Sequence, residues 1–107
     1  MRRNKYNAKP TVIDGFRFAS KLEASRYQEL KLKVHAGEIL YFDIHPKFKL
    51  FVGDHHICTY EADFRYTDKR GTVHIEDTKG VRTASYILKK KLMYACLGLE
   101  VEELRAR

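Results

Sequence analysis

The sequence predicts an α/β (α+β) domain of three layers, with helices packed on a central mixed sheet of about four strands in the order αβββαβ. Three observations predict it. Two segments, 20–37 and 83–98, carry apolar residues near helical period between a capping residue and a glycine. Two segments rich in β-formers flank the turn sequence TDKRG, the mark of an antiparallel hairpin. A last short β-like segment, LEVEEL, follows the second helix. The 107 residues suit one compact domain at 11–107 behind a short arm at 1–10.

The elements follow in chain order. MRRNKYNAKP carries Arg2, Arg3, Lys5 and Lys9 with little apolar content and reads as a basic arm. In TVIDGFRF, Asp14-Gly15 is a turn dipeptide between apolar runs, which predicts a short hairpin. Ser20 caps the first helix, with Glu23 at capping-box spacing. Leu22, Tyr27, Leu30 and Val34 form its apolar stripe, and Gly37 stops it. ILYFDIHPKFKLFVG holds one or two strands with a break at His45-Pro46. Lys47 and Lys49 alternate there with Phe48 and Leu50, so one face is basic. HICTYEADFRY and TVHIEDTKG form the hairpin. In the second helix Thr83 or Ser85 is the cap, Gly98 the stop, and Tyr86, Ile87, Leu92 and Cys96 the inward residues. Phe16, Phe18, Phe48, Phe51 and Phe64 also read as core rather than as a base-stacking platform. His55 and His56 fall in an exposed loop.

Composition bounds the function. The chain is 44% hydrophobic, enough to bury a core. Its 21 Lys+Arg against 14 Asp+Glu leave a net charge of +7, which favours a polyanionic partner such as nucleic acid. Cys58 and Cys96 stand far apart without zinc-ligand spacing and read as buried free thiols in a reducing compartment. No apolar run is long enough to span a membrane and no signal-peptide core is evident, so the expected location is the cytoplasm.

The segment VHIEDTKG begins as a strand and ends in Glu76, Asp77 and Lys79. Side chains two apart share a face, so Asp77 and Lys79 lie together. A hairpin centred on Arg70 sets Asp63 opposite Asp77 and gathers two carboxylates and a lysine on one face. A one-residue slip sets Asp63 opposite Glu76, with Ala62, Phe64, Val73 and Ile75 on the other face. That alternative gives the cleaner apolar surface. Like charges held so close are costly unless a cation lies between them. Hard oxygen ligands suit Mg2+ or Mn2+ better than zinc. A neighbouring lysine then orients or deprotonates an attacking water.

The ordered set F-x-S-K-L-E at Phe18–Glu23, P-K-F at Pro46–Phe48, Y-E-A-D-F at Tyr60–Phe64 and E-D-T-K-G at Glu76–Gly80 resembles the PD-(D/E)XK nuclease superfamily. It is most similar to small phage and transposon members: short phage-encoded proteins, phage endonuclease I type Holliday-junction resolvases and the transposon-end endonuclease. The resemblance implies a restriction-endonuclease-like core. It implies Glu23, Asp63, Asp77 and Lys79 as catalytic residues, with Glu23, Asp63 and Asp77 at the metal and Glu76 a rival for Asp77's place. It selects the register that opposes Asp63 to Asp77. It also implies Mg2+, replaceable by Mn2+, no organic cofactor, a 5′-phosphate product, and a homodimer acting on DNA, branched DNA above all, in the host cytoplasm. Phosphate contacts are expected from Arg2, Arg3, Lys5, Lys9, Ser20, Lys47, Lys89, Lys90 and Lys91. The competing expectation is a basic nucleic-acid-binding accessory protein that needs no metal.

Overall fold

The structure is a computed structural model describing residues 10–78 and 82–105. It opens on a hairpin, β1 (Thr11–Ile13) and β2 (Phe16–Phe18). Asp14 and Gly15 both adopt positive φ, 54° and 82°, as a two-residue turn of this twist requires. The Asp14 carboxylate accepts from Tyr27 Oη at 2.7 Å and from Lys31 Nζ at 2.5 Å, which docks the hairpin on the following helix.

That helix, α1 (Lys21–His35), starts as the sequence predicts: Ser20 Oγ accepts from Glu23 N at 3.1 Å. The return bond differs. Glu23 Oε1 accepts from Ala19 N at 3.0 Å rather than from Ser20, so the box closes one residue early. Gly37, at φ 77°, follows the C-cap Ala36. Ala24, Tyr27 and Leu30 are buried on this helix, with Leu22 and Val34 only half-buried at its margins.

Then come β3 (Phe42–Ile44), β4 (Lys47–Val52), β5 (His55–Glu61), β6 (Phe64–Thr67), β7 (Val73–Thr78), α2 (Ala84–Leu97) and β8 (Val101–Leu104). Five strands therefore stand between the helices where the sequence predicts three. The extra count has two causes. His45-Pro46 divides β3 from β4, as its sequence suggests. HICTYEADFRY, expected as one strand, divides at Ala62-Asp63 because its halves pair with different partners. β5 pairs with β4, whereas β6 pairs with β3 and β7. The two breaks satisfy one another: His45 N donates to Asp63 O at 2.9 Å and Ala62 N to Pro46 O at 3.0 Å. His55 and His56, expected in a loop, open β5 and are exposed there.

The central sheet is mixed, in the order β3-β6-β7-β8, with β7 and β8 parallel and the other pairs antiparallel. Both of its faces are covered. Phe64, with Phe42, Ile44 and Tyr66, packs towards α1 around Phe18, Ala24, Tyr27, Leu30 and Ile39. Ile75 and Val101 pack on the other side with Tyr86 and Met93 of α2 and with Phe48, Leu50, Tyr60 and Ala62 from the β4–β5 limb. α2 is capped by Thr83 Oγ1, which accepts from Tyr86 N at 3.1 Å, and stopped by Gly98 at φ 69°. Met93, fully buried, is a core residue that the inward set Tyr86, Ile87, Leu92 and Cys96 leaves out. Cys58 and Cys96 are free and half-buried. Phe18, Phe48 and Phe64 are core as expected, but Phe16 and Phe51 are each 44% exposed. Both sit on peripheral two-stranded hairpins that carry no third layer. Among the described residues no helix is long and apolar enough to cross a membrane.

Phe64 is fully buried and its ring meets those of Phe18 and Phe42 at 6.4 and 6.2 Å. Phe64→Ala should destabilise the fold by about 3–5 kcal/mol. Urea denaturation should show a lower midpoint at unchanged slope.

Candidate metal centre

The β6–β7 ladder decides the register. Phe64 opposes Glu76 and Arg65 opposes Ile75, which is the phase that the resemblance selects, but the ladder ends at Phe64, and Asp63 just before it donates its N–H to Glu76 O at 3.1 Å. The cleaner apolar face of the slipped register confers no advantage here, because helices and strands cover both sides of the sheet. Glu76 then points with Phe64 towards α1. Asp77 points with Ile75 towards α2 and the β4–β5 limb.

Glu76 is 2% exposed and paired on both oxygens. Arg26 Nε donates to Oε1 at 2.8 Å, Arg26 Nη2 to Oε2 at 2.7 Å, and Tyr66 Oη to Oε2 at 2.7 Å. The hydrogen bond to Glu76 holds the Arg26 guanidinium above its ordinary pKa, against its own burial. Burial, reinforced by Glu76, pushes the Tyr66 phenol up. This two-pronged pair ties α1 to β7 and occupies the carboxylate that competes with Asp77 for a catalytic place.

Asp77 is equally buried and accepts a short hydrogen bond from Tyr60 Oη. Burial first, and that bond second, raise the Tyr60 phenol well above its usual value. Glu103 of β8 stands beside Asp77 in the parallel register and gathers Tyr86, Lys90, Arg82 and Arg105. Burial would raise its carboxyl, but the hydrogen bonds from Tyr86, Lys90 and Arg105 outweigh that and hold it down at about 2.

Asp63 emerges where β5 ends and β6 begins. Its Oδ2 accepts from Thr78 N and Thr78 Oγ1, both at 2.7 Å. Glu23, 2% exposed, faces it from the first turn of α1. His45 completes the group, its Nε2 at 2.7 Å from Glu23 Oε2. One ligand atom from each of Glu23, His45 and Asp63 lies within 4.8 Å of the other two. Burial, and next the charge of Asp63, raise the Glu23 carboxyl above its ordinary range, and the bonds from His45 and Ala19 only partly offset this. Two hard oxygen donors and one imidazole, on a site where negative charge is under-compensated, fit a divalent cation. A cavity of about 300 Å3 opens onto the group, lined also by Arg17, Ala19, Glu61 and Ala62.

The structure thus brings Glu23 and Asp63 together and adds His45, while Asp77 is not among the three. Lys79 lies outside the described residues, as do Arg2, Arg3, Lys5 and Lys9. Ser20 is engaged as the cap of α1. Lys47 is exposed on β4 opposite Glu61, Lys89 is half-buried, Lys91 is exposed, and Lys90 donates to Glu103 at 3.1 Å. The sequence places His45 near the site as a structural residue that could touch DNA rather than as a ligand, and it gives the site-lining Arg17 no role. The signal for His45 was its place in the break before Pro46. Arg17 carried none beyond its charge on the first hairpin.

Residues 3–97 match the family model described as a protein of unknown function, DUF1064. The chain belongs to the DUF1064 family. No curated protein and no solved structure matches it. The match spans Glu23, His45, Asp63 and Asp77 and ends before β8, which carries Glu103.

Two outcomes follow from these environments. Arg26→Ala leaves the buried Glu76 charge unpaired and should cost about 3–5 kcal/mol, whereas replacing Arg26 and Glu76 together by Met and Leu should cost far less. Chemical denaturation of the two variants checks this. Glu23 has a folded pKa raised above its unfolded value near 4.5. The metal-free protein therefore gives up stability as pH rises from that value through the raised one. Glu23→Gln removes this loss, so its melting temperature in EDTA should exceed wild type at neutral pH and converge with it in acid.

Proposed function

We propose that the protein is a metal-dependent DNA endonuclease of the PD-(D/E)XK type. The observation that carries this is the convergence of Glu23, from the first turn of a helix, on Asp63, from the entry to a hairpin strand, around a space that suits a cation. The net charge of +7 supports a polyanionic substrate. A bound divalent cation of the Mg2+/Mn2+ class would supply Lewis acidity at the scissile phosphate. Glu23 and Asp63 would hold it, with Thr78 fixing the Asp63 carboxylate. Asp77, one strand position before Thr78, is the further acidic residue that the superfamily pattern assigns. Lys79, by the same resemblance, would orient the attacking water and take its proton. Water attack on phosphorus with loss of the 3′-oxygen leaves a 5′-phosphate and a 3′-hydroxyl. Exposed Lys47 and Lys91 and the basic arm would contact neighbouring phosphates.

Branched DNA in phage metabolism, in the host cytoplasm, is the substrate setting that the resemblance favours. One such site cuts one strand, so paired incisions at a junction would call for a homodimer. A second reading is favoured by Asp77, which is engaged with Tyr60 rather than grouped with Glu23 and Asp63. In that reading the chain is a basic nucleic-acid-binding accessory protein without catalysis.

The test incubates labelled four-way junction, flap, linear duplex and single-stranded DNA with Mg2+ or Mn2+. Wild type should cut at least one substrate. Asp63→Asn, Asp77→Ala and Lys79→Ala should each lose about 100-fold or more in rate. Retention of DNA without cleavage on every substrate would sink the enzyme and leave the accessory reading.

A further inference from the structure

His45 is the residue of the site with the least ordinary backbone. Its φ is 53°, in the left-handed region that residues other than glycine seldom occupy, though asparagine, aspartate and histidine do so more readily than the rest. A joint between two strands that needed only this conformation would be made most cheaply by glycine or asparagine. The surroundings hold the histidine there regardless. Its N–H is bonded to Asp63 O, Pro46 follows it and accepts from Ala62, and its ring lies against Phe18 with centroids 6.2 Å apart. The imidazole is thereby delivered into the angle between Glu23 and Asp63 with Nε2 foremost.

The distances have a chemical meaning. Adjacent ligands on one octahedral dication, each about 2.1 Å from it, stand about 3.0 Å apart. Nε2 of His45 and Oε2 of Glu23 are 2.7 Å apart, so both fit a single ion with little movement. The side chain of His45 is 36% exposed and that of Glu23 is 3% exposed. His45 therefore borders the open side of the site, where it lines the cavity from which a hydrated ion would arrive. Mg2+ gains little from an imidazole and gives up water reluctantly. First-row transition dications accept nitrogen readily, with affinity rising from Mn2+ towards Co2+ and beyond.

The geometry points to His45 as a direct metal ligand that makes this a Glu23–His45–Asp63 site selective for first-row transition dications, with Mn2+ as the representative, over Mg2+. This rests on the reading of Glu23 and Asp63 as a cation site and sharpens it: His45 determines which cation the site takes. Losing a direct ligand costs at least as much affinity as losing one of its outer partners, about tenfold.

Calorimetric titration with MnCl2 and MgCl2 tests the selectivity on the metal-free protein. His45→Asn and His45→Gly are the variants of choice, since both residues accept left-handed backbone. Wild type should bind Mn2+ about tenfold or more tightly than Mg2+. Both variants should lose about tenfold or more in Mn2+ affinity and stay within about twofold for Mg2+, whereas Asp63→Asn should lose both ions. Pulsed electron paramagnetic resonance on Mn2+-loaded wild type should show the coupling of a directly bound imidazole nitrogen. This readout needs no variant to fold. An equal Mn2+ to Mg2+ ratio in wild type and the His45 variants, or no such coupling, overturns the role of His45 while leaving the nuclease reading intact. No binding of either ion by wild type overturns both. Selective binding with no DNA cleaved sinks the nuclease alone.

Discussion

The ion pair between Arg26 and Glu76 is the constraint on which the site depends. Helix α1 has an apolar stripe of modest extent, and such a stripe leaves a helix some freedom to rotate and slide on a sheet. Clamping Arg26 to both oxygens of Glu76, with Tyr66 closing the same carboxylate, removes that freedom. Glu23 lies three residues before Arg26, on the same side of the helix. Once Arg26 is fixed on β7, Glu23 is fixed near the end of β6, where Asp63 emerges. The bond of Glu23 to Ala19 N then ties the carboxylate to the start of its own helix. Removing Glu76 would therefore disturb the Glu23–His45–Asp63 group through Arg26 and α1 without touching any of the three residues.

The second constraint is the paired break in the strands. β4 and β5 leave the sheet as a hairpin of their own, while β3 and β6 stay in it. The chain must change partners twice, once at His45-Pro46 and once at Ala62-Asp63. Reciprocal backbone bonds hold the two crossings together and satisfy the N–H groups of His45 and Ala62. Had HICTYEADFRY continued as one strand, Asp63 would have been locked into a ladder beside Asp77. Released at a bend, it turns to Thr78 and Glu23 instead, and brings His45 along with it.

Much of this fold was legible in the sequence because its signals are local. Asp14-Gly15, Ser20, Gly37, Thr83 and Gly98 act within a few residues, and each behaves as its chemistry requires. The hairpin around Arg70 was legible too, though pattern alone left its register open between two phases. The slipped phase was attractive only under the assumption that a strand has one dry face, and a sheet covered on both sides voids that assumption. The division of β5 from β6 was not legible, since HICTYEADFRY holds no Pro or Gly and its break is set by distant pairing. The grouping of His45 with Glu23 and Asp63 was hidden for the same reason. Nothing adjacent to it in sequence indicates that Glu23, 22 positions earlier, and Asp63 will meet its ring.

Among the described residues three carboxylates are buried, and each is met differently. Glu76 has a guanidinium on both oxygens, which is a permanent counter-charge. Asp77 has the hydroxyl of Tyr60, itself buried and so disinclined to ionise. Glu23 has an amide N–H and an imidazole on its oxygens, and a second carboxylate close by. The bonds from the amide and the imidazole only partly offset burial and the charge of Asp63, and the Glu23 carboxyl is raised above its ordinary range. The fold neutralises Glu76 with an arginine on the same helix as Glu23, whereas Glu23 itself faces Asp63 and His45. Destabilisation concentrated at this one point marks Glu23, His45 and Asp63 as the candidate site for a cation.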